Sequence, residues 1–127
     1  MSSQWQISNR GNSGSAASVS RSAPGGASAG NEQLRLVGLT ATLGGPTAGT
    51  DQVVVRDGPT GTGTIIFTAD LSIVANGFAA IQMSPLDLRA SPGNALTIEF
   101  VNGVTGNRED VNGQGDYIPQ GTAYGVS

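Results

Sequence analysis

Ala95–Val101 reads ALTIEFV, and its alternation decides the fold. Leu96, Ile98 and Phe100 fall on one side of an extended chain, while Thr97 and Glu99 fall on the other. That period of two is the mark of a strand with one buried face. Asn102-Gly103 follows at once, a pair that tolerates the positive φ of a tight turn. Working outward, the same grammar repeats. Gln52–Asp57 (QVVVRD), Thr64–Ala69 (TIIFTA), Leu71–Ala75 (LSIVA) and Gly77–Met83 (GFAAIQM) are short apolar runs. Gly44-Gly45-Pro46, Asp57-Gly58-Pro59, Asn76-Gly77, Ser91-Pro92-Gly93-Asn94 and Asn112-Gly113 punctuate them.

Leu34–Leu43 (LRLVGLTATL) places large residues on both parities, which predicts a central strand covered on both faces, with Gly38 marking a bulge or close packing. With 20 Gly and 6 Pro spread through the chain, no window holds an uninterrupted helical stripe. The expectation is all-β: an antiparallel β-sandwich or jelly roll carrying an extended N-terminal arm. Residues 31–127 form the sandwich domain. Within it, 107–127 reads as an edge strand followed by a C-terminal tail.

The arm is 1–30. From Gly11 to Gly30, sixteen of twenty residues are Gly, Ser or Ala, so almost nothing apolar is available to bury. Ordering about thirty residues costs on the order of 30–60 kcal/mol of backbone entropy, which local contacts among Ser and Gly do not offset. The arm is therefore expected to take its form from a neighbouring surface. Trp5 and Ile7 are its natural anchors, since Trp dominates binding hot spots. Arg10 and Arg21 make the arm weakly cationic, while the body carries all nine acids. Partner-binding is thus assigned to Trp5, Ile7, Arg10 and Arg21. The alternative for Trp5 is that it folds back onto its own sandwich.

Composition excludes much chemistry. The chain has no Cys, no His and no Lys; all six cations are arginines. Disulfides, imidazole catalysis, Schiff bases and lysine-bearing phosphate loops are ruled out. A net charge of −3 with no basic stripe argues against nucleic acid as a partner. No apolar run approaches the length of a bilayer-spanning helix, and MSSQWQISNR has no secretory leader. Synthesis in a cytoplasm is expected.

Asn102–Asp116 gathers Asn107, Glu109, Asp110, Asn112 and Asp116, a set of oxygen ligands. An ordinary polar loop is the preferred reading, and a calcium loop the alternative. Asp57, Asp87 and Glu99 are the acids weighed for a carboxylate-dependent glycoside hydrolase, but none lies in a cleft motif. No catalytic residue, cofactor or metal ligand is assigned, and an enzyme is not expected.

In EQLRLVGLTATL, QVVVRDGPTGTGTIIFTADL and GFAAIQMSPLDLRASPGNALTIEFVNG, together with the Gly/Ser/Ala arm, the chain resembles virion accessory proteins of tailed bacteriophages, of the capsid decoration or cement kind. The resemblance runs over about Asn31 to Gly103 in strand rhythm and turn vocabulary. It implies a small β-rich module that oligomerises, a trimer being favoured, on the outer surface of a virion. Its partners would be the major capsid protein and copies of itself, clamped through the arm. No functional residue is carried over from that resemblance. A carbohydrate-binding module or tail-fibre tip shares the sandwich and is the alternative.

Overall fold

The computed structural model describes residues 4–12, 16–22 and 33–118. Among them all regular structure is β: β1 (Gln4–Asn12), β2 (Ser18–Arg21), β3 (Gln33–Gly45), β4 (Gly49–Asp57), β5 (Thr64–Ile73), β6 (Gly77–Met83), β7 (Leu88–Arg89), β8 (Leu96–Phe100) and β9 (Arg108–Ile118). Two antiparallel sheets result, with strand orders β1-β9-β3-β6 and β2-β8-β4-β5, and the short β7 adds to β3. The chain crosses repeatedly from one sheet to the other, so neighbours in space are distant in sequence. This is a jelly roll.

β3 explains why both parities of Leu34–Leu43 are apolar. Its register against β9 shifts between Leu36 and Gly38. The extra residue flips the alternation, so Leu34, Leu36, Leu39, Ala41 and Leu43 all face inward. The expectation of a strand covered on both faces is corrected: one face is buried, and the bulge keeps it so. Opposite lie Val53, Val55, Leu71, Leu96, Ile98 and Phe100. Each such side chain contributes about 1.5–3 kcal/mol when fully buried.

Other boundaries move as well. Thr64–Ala69 and the start of Leu71–Ala75 are one strand, β5, which runs on to Ile73 because Asp70 sits at an exposed position that leaves the ladder unbroken. Asn112-Gly113 is not a turn but the middle of β9. β9 is not an edge strand either, since β1 and β3 flank it. Asn76 does adopt the left-handed turn conformation, at φ 61°.

The largest difference concerns the N-terminal residues. Gln4–Asn12 pairs with β9 along its whole length, from Gln4 opposite Asp116 to Asn12 opposite Arg108. Ser18–Arg21 pairs with β8. Each sheet thus gains one outer strand from the segment expected to be a free arm, and the sandwich begins at β1 rather than at residue 31. The ordering entropy is offset by two hydrogen-bonded ladders and a buried Trp, all within one chain. The linker at 23–32 and the expected tail at 119–127 lie outside the described residues.

Candidate interaction surfaces

Of the four residues assigned to partner binding, two are drawn into the protein. Trp5 is 4% exposed and belongs to the core. Its register partner is Gly115. A Cβ there would strike the Arg35 carbonyl and the Trp5 ring, so β9 carries glycine where the indole crosses it. The indole Nε1 donates to the Asp116 carbonyl at 2.9 Å. Ile7, half-buried, packs against the same core. Trp5 as a partner anchor is therefore corrected to a core residue, the alternative in which it folds back onto its own sandwich, since β9 offers both a glycine beneath the ring and a carbonyl for its N–H.

The two arginines stay nearer the surface. Arg10 is exposed, with its Nε 2.7 Å from Asp110 Oδ1. Arg21 donates to the Tyr117 hydroxyl through Nε at 3.1 Å and through Nη2, and its guanidinium lies 5.7 Å from the Tyr117 ring centroid. Both reach across to β9 of the same chain, Arg10 to a carboxylate and Arg21 to a neutral phenol.

The oxygen-rich stretch 102–116 is dispersed by strand alternation. Glu109 turns into the sandwich, while Asp110, Asn112 and Asp116 turn outward. Asp116 pairs with Arg35 at 2.7 Å, and the Asn107 side chain ties the 46–48 loop through the Thr47 amide and carbonyl. The preferred reading of an ordinary polar loop is corrected for 108–116, which is strand. Among the described residues, no group of three or more acidic side chains is placed to hold a metal ion.

The acids weighed for glycoside hydrolysis are likewise engaged elsewhere. Asp57 accepts hydrogen bonds from the Ser91 amide (2.9 Å), the Ser91 hydroxyl (2.6 Å) and Asn94 (3.0 Å), joining two turns. Burial alone would raise its pKa, but these hydrogen bonds together hold it below the usual carboxylate range. Asp87 is exposed beside Arg89, whose hydrogen bond lowers its pKa.

Glu99 faces outward from its sheet, yet it is buried. The 58–63 turn folds over it: Gly61 N donates to Glu99 Oε1 at 2.9 Å, and Arg56 Nε stands 2.5 Å from the same oxygen. Thr97 is enclosed with it, donating to the Gly58 carbonyl at 2.9 Å. Alternation alone gave no signal of this roof.

Two surfaces remain open. The outer face of the β1-β9-β3-β6 sheet is polar and grooved. Rows run straight across it, including Ser8–Asn112–Thr40–Gln82 and Arg10–Asp110–Thr42–Ala80. One shallow cavity of about 320 Å³ lies between Thr40, Gln82, Asn112 and Gln114. The other surface is an apolar corner. Val74 is 75% exposed and Phe78 69% exposed, on either side of the turn that joins the two sheets. Sequence reading placed Val74 and Phe78 in strand runs on either side of the Asn76-Gly77 turn, but without topology it had no signal that both side chains stay exposed there.

No protein-family model matches the chain, and no curated protein matches it. Solved structures do share its outline. The cowpea mosaic virus top component aligns with a TM-score of 0.47 at 12% identity, over 95% of this chain and 87% of that one. The tobacco streak virus coat protein aligns at 0.40 and 8% identity, over 93% and 88%. A CBM4 structure aligns at 0.42 and 9% identity, over 83% of this chain; the chain spans 61% of that structure's length. At these values the likenesses carry no functional argument, and the fold rests on the sheet order described above.

Proposed function

We propose that the chain is a structural protein of a virus particle, a decoration or cement module that assembles on the capsid exterior. Its partners in this reading are the major capsid protein and further copies of itself, with a trimer as the favoured arrangement. The observation that carries the reading is the Val74–Phe78 corner on a jelly roll whose described acids, the exposed Asp70 apart, are held in ion pairs, turns or the interior. Two large apolar side chains left in water beside a rigid turn form a contact that a neighbouring subunit would cover. Many copies, each with a modest contact, would bind through avidity.

The direct test is co-sedimentation of the full chain with candidate capsids, alongside a Val74→Ser/Phe78→Ser double variant. The variant is expected to melt like the parent and to lose both self-association and capsid binding. A variant that binds as well as the parent would remove the corner from the proposal. A parent that binds no capsid and stays monomeric would remove the proposal itself.

A second reading is favoured by the outer sheet face. The side chains of Gln6, Thr40, Gln82, Asn112 and Gln114 make no hydrogen bond to other described residues, and uncharged amides and hydroxyls suit a neutral sugar chain. Among the described residues, exposed aromatic surface for stacking is confined to Phe78 at the corner of that face, which ranks this reading second. Glycan-array binding lost in Gln82→Ala and Asn112→Ala variants would reverse the order.

A further inference from the structure

Asp51 and Glu109 meet inside the sandwich. Asp51 lies on an inward position of β4 and Glu109 on an inward position of β9, so one carboxyl comes from each sheet. They are 2% and 1% exposed. Asp51 Oδ1 accepts from the Gln52 amide at 2.8 Å and from the Asn102 amide at 3.0 Å. Glu109 Oε1 accepts from the Ala17 amide at 3.4 Å. The other oxygen of each, Asp51 Oδ2 and Glu109 Oε2, is buried without a partner, and the two side chains stand within hydrogen-bonding reach of one another.

Among the described residues no cation relieves this pair. Glu109 is flanked in the sheet by Leu43 on β3 and Gly11 on β1, and Asp51 by Leu71 on β5. The charged groups on the adjoining strands point elsewhere. Arg10, Arg108 and Asp110 are joined on one outer face, and Arg35 pairs with Asp116. Arg56 pairs with Glu99 outside the second sheet, and Asp70 is exposed. Two ionised carboxylates in that setting, both withdrawn from bulk solvent, would repel at close range with no described counter-charge beside them. A single proton, donated by one orphan oxygen to the other, satisfies both at once.

We propose that Asp51 and Glu109 share one proton in the folded protein, and that this O–H···O bridge is a pH-sensitive clasp between the two sheets. It also holds the chain entering β2 through Ala17 and the β8–β9 loop through Asn102. Loss of the proton sets like charges against each other where four segments converge, and that end of the sandwich loosens. Burial first, and Asp51 second, push the Glu109 carboxyl up to about 9. Its folded pKa therefore lies above its unfolded value. The stabilisation is complete below the unfolded pKa, shrinks as pH rises above it, and is gone once pH passes about 9.

The composition makes the proton countable. With no His, Lys or Cys, only the α-amino group and the two tyrosines otherwise titrate near this range. Potentiometric titration of the full chain is expected to release one proton per chain near pH 9 that Glu109→Gln does not release. The glutamine amide donates to Asp51 permanently, so the melting temperature of Glu109→Gln should stay level over the range in which the parent's declines. Asp51→Asn supplies a neutral partner and is expected to move the Glu109 midpoint downward by more than a tenfold change in proton affinity. Equal proton release by parent and Glu109→Gln, or parallel melting profiles, would overturn the clasp. Should either variant fail to fold, the carboxyl carbon resonance of Glu109 in the parent decides: an ordinary carboxylate midpoint refutes the proposal. A calcium-dependent rise in the parent's melting temperature at neutral pH, absent in Glu109→Gln, would also overturn it, because a cation would then occupy the proton's place.

Discussion

Trp5→Ala separates a core residue from a partner anchor in one measurement. The indole is enclosed by its own sandwich and hydrogen-bonded to the Asp116 carbonyl. Truncating a buried Trp to Ala costs about 3–5 kcal/mol. The lost Nε1–H···O bond adds about 1 kcal/mol, for a total of roughly 4–6 kcal/mol. Single domains are stable by only about 5–15 kcal/mol, so the variant should sit near the edge of folding. For a chain of this length the melting temperature should fall by roughly 15–22 °C. Differential scanning calorimetry of dilute monomer measures this without needing the tryptophan. Trp5→Phe keeps most of the ring and loses only the hydrogen bond, so a loss of about 1–2 kcal/mol is expected. Because Trp5 is the single tryptophan, acrylamide quenching of the parent gives an independent reading, and native protein should be far better shielded than denatured protein. A Trp5→Ala chain that melts within a few degrees of the parent, with capsid binding or self-association lost, would refute the core assignment.

Other outcomes follow from the same geometry. Deleting residues 1–22 strips the outer strand from both sheets, and the remainder should lose its cooperative melting transition and scatter light; a sharp transition near that of the parent would count against it. Glu99→Ala removes the acceptor shared by the half-buried Arg56 guanidinium and the exposed Gly61 amide and should cost about 1.5–3 kcal/mol in urea denaturation, with Glu99→Gln costing less. For Asp57 the folded pKa lies below the unfolded one, so its stabilisation is present above the unfolded pKa and is lost as pH falls through the folded pKa. Asp57→Asn should therefore flatten the acid side of the stability curve, as followed by the urea midpoint across the acid range.

Much of the fold was legible because strands and turns announce themselves locally. ALTIEFV, QVVVRD and GFAAIQM each lie on a strand, and Asn76-Gly77 marks the turn between β5 and β6. What escaped was set by contacts distant in sequence. Trp5 and Ile7 alternate with Gln4, Gln6 and Ser8 in a strand pattern, yet the Gly/Ser stretch that follows outweighed it. Only pairing with β9 makes that pattern a strand. Val19 between two serines gave even less signal, although it sits opposite Ile98. Glu99 read correctly as outward, but the 58–63 turn that covers it is a tertiary event. Asp51 and Glu109 are 58 positions apart in sequence (109 − 51) and meet only once the sheets are stacked, so alternation offered no reason to couple them.

The pairing of β1 with β9 joins residues as far apart as Trp5 and Asp116, 111 positions along the chain. On the ribosome, the first strand emerges long before β9, its neighbour in the sheet, has been synthesised. The sandwich therefore cannot close before β9 is made, and until then β3 shows a bare ladder to the surrounding medium. A jelly roll threaded this way is exposed to mispairing with sister chains throughout that interval, which favours a chaperone that shields β3 until the ninth strand arrives.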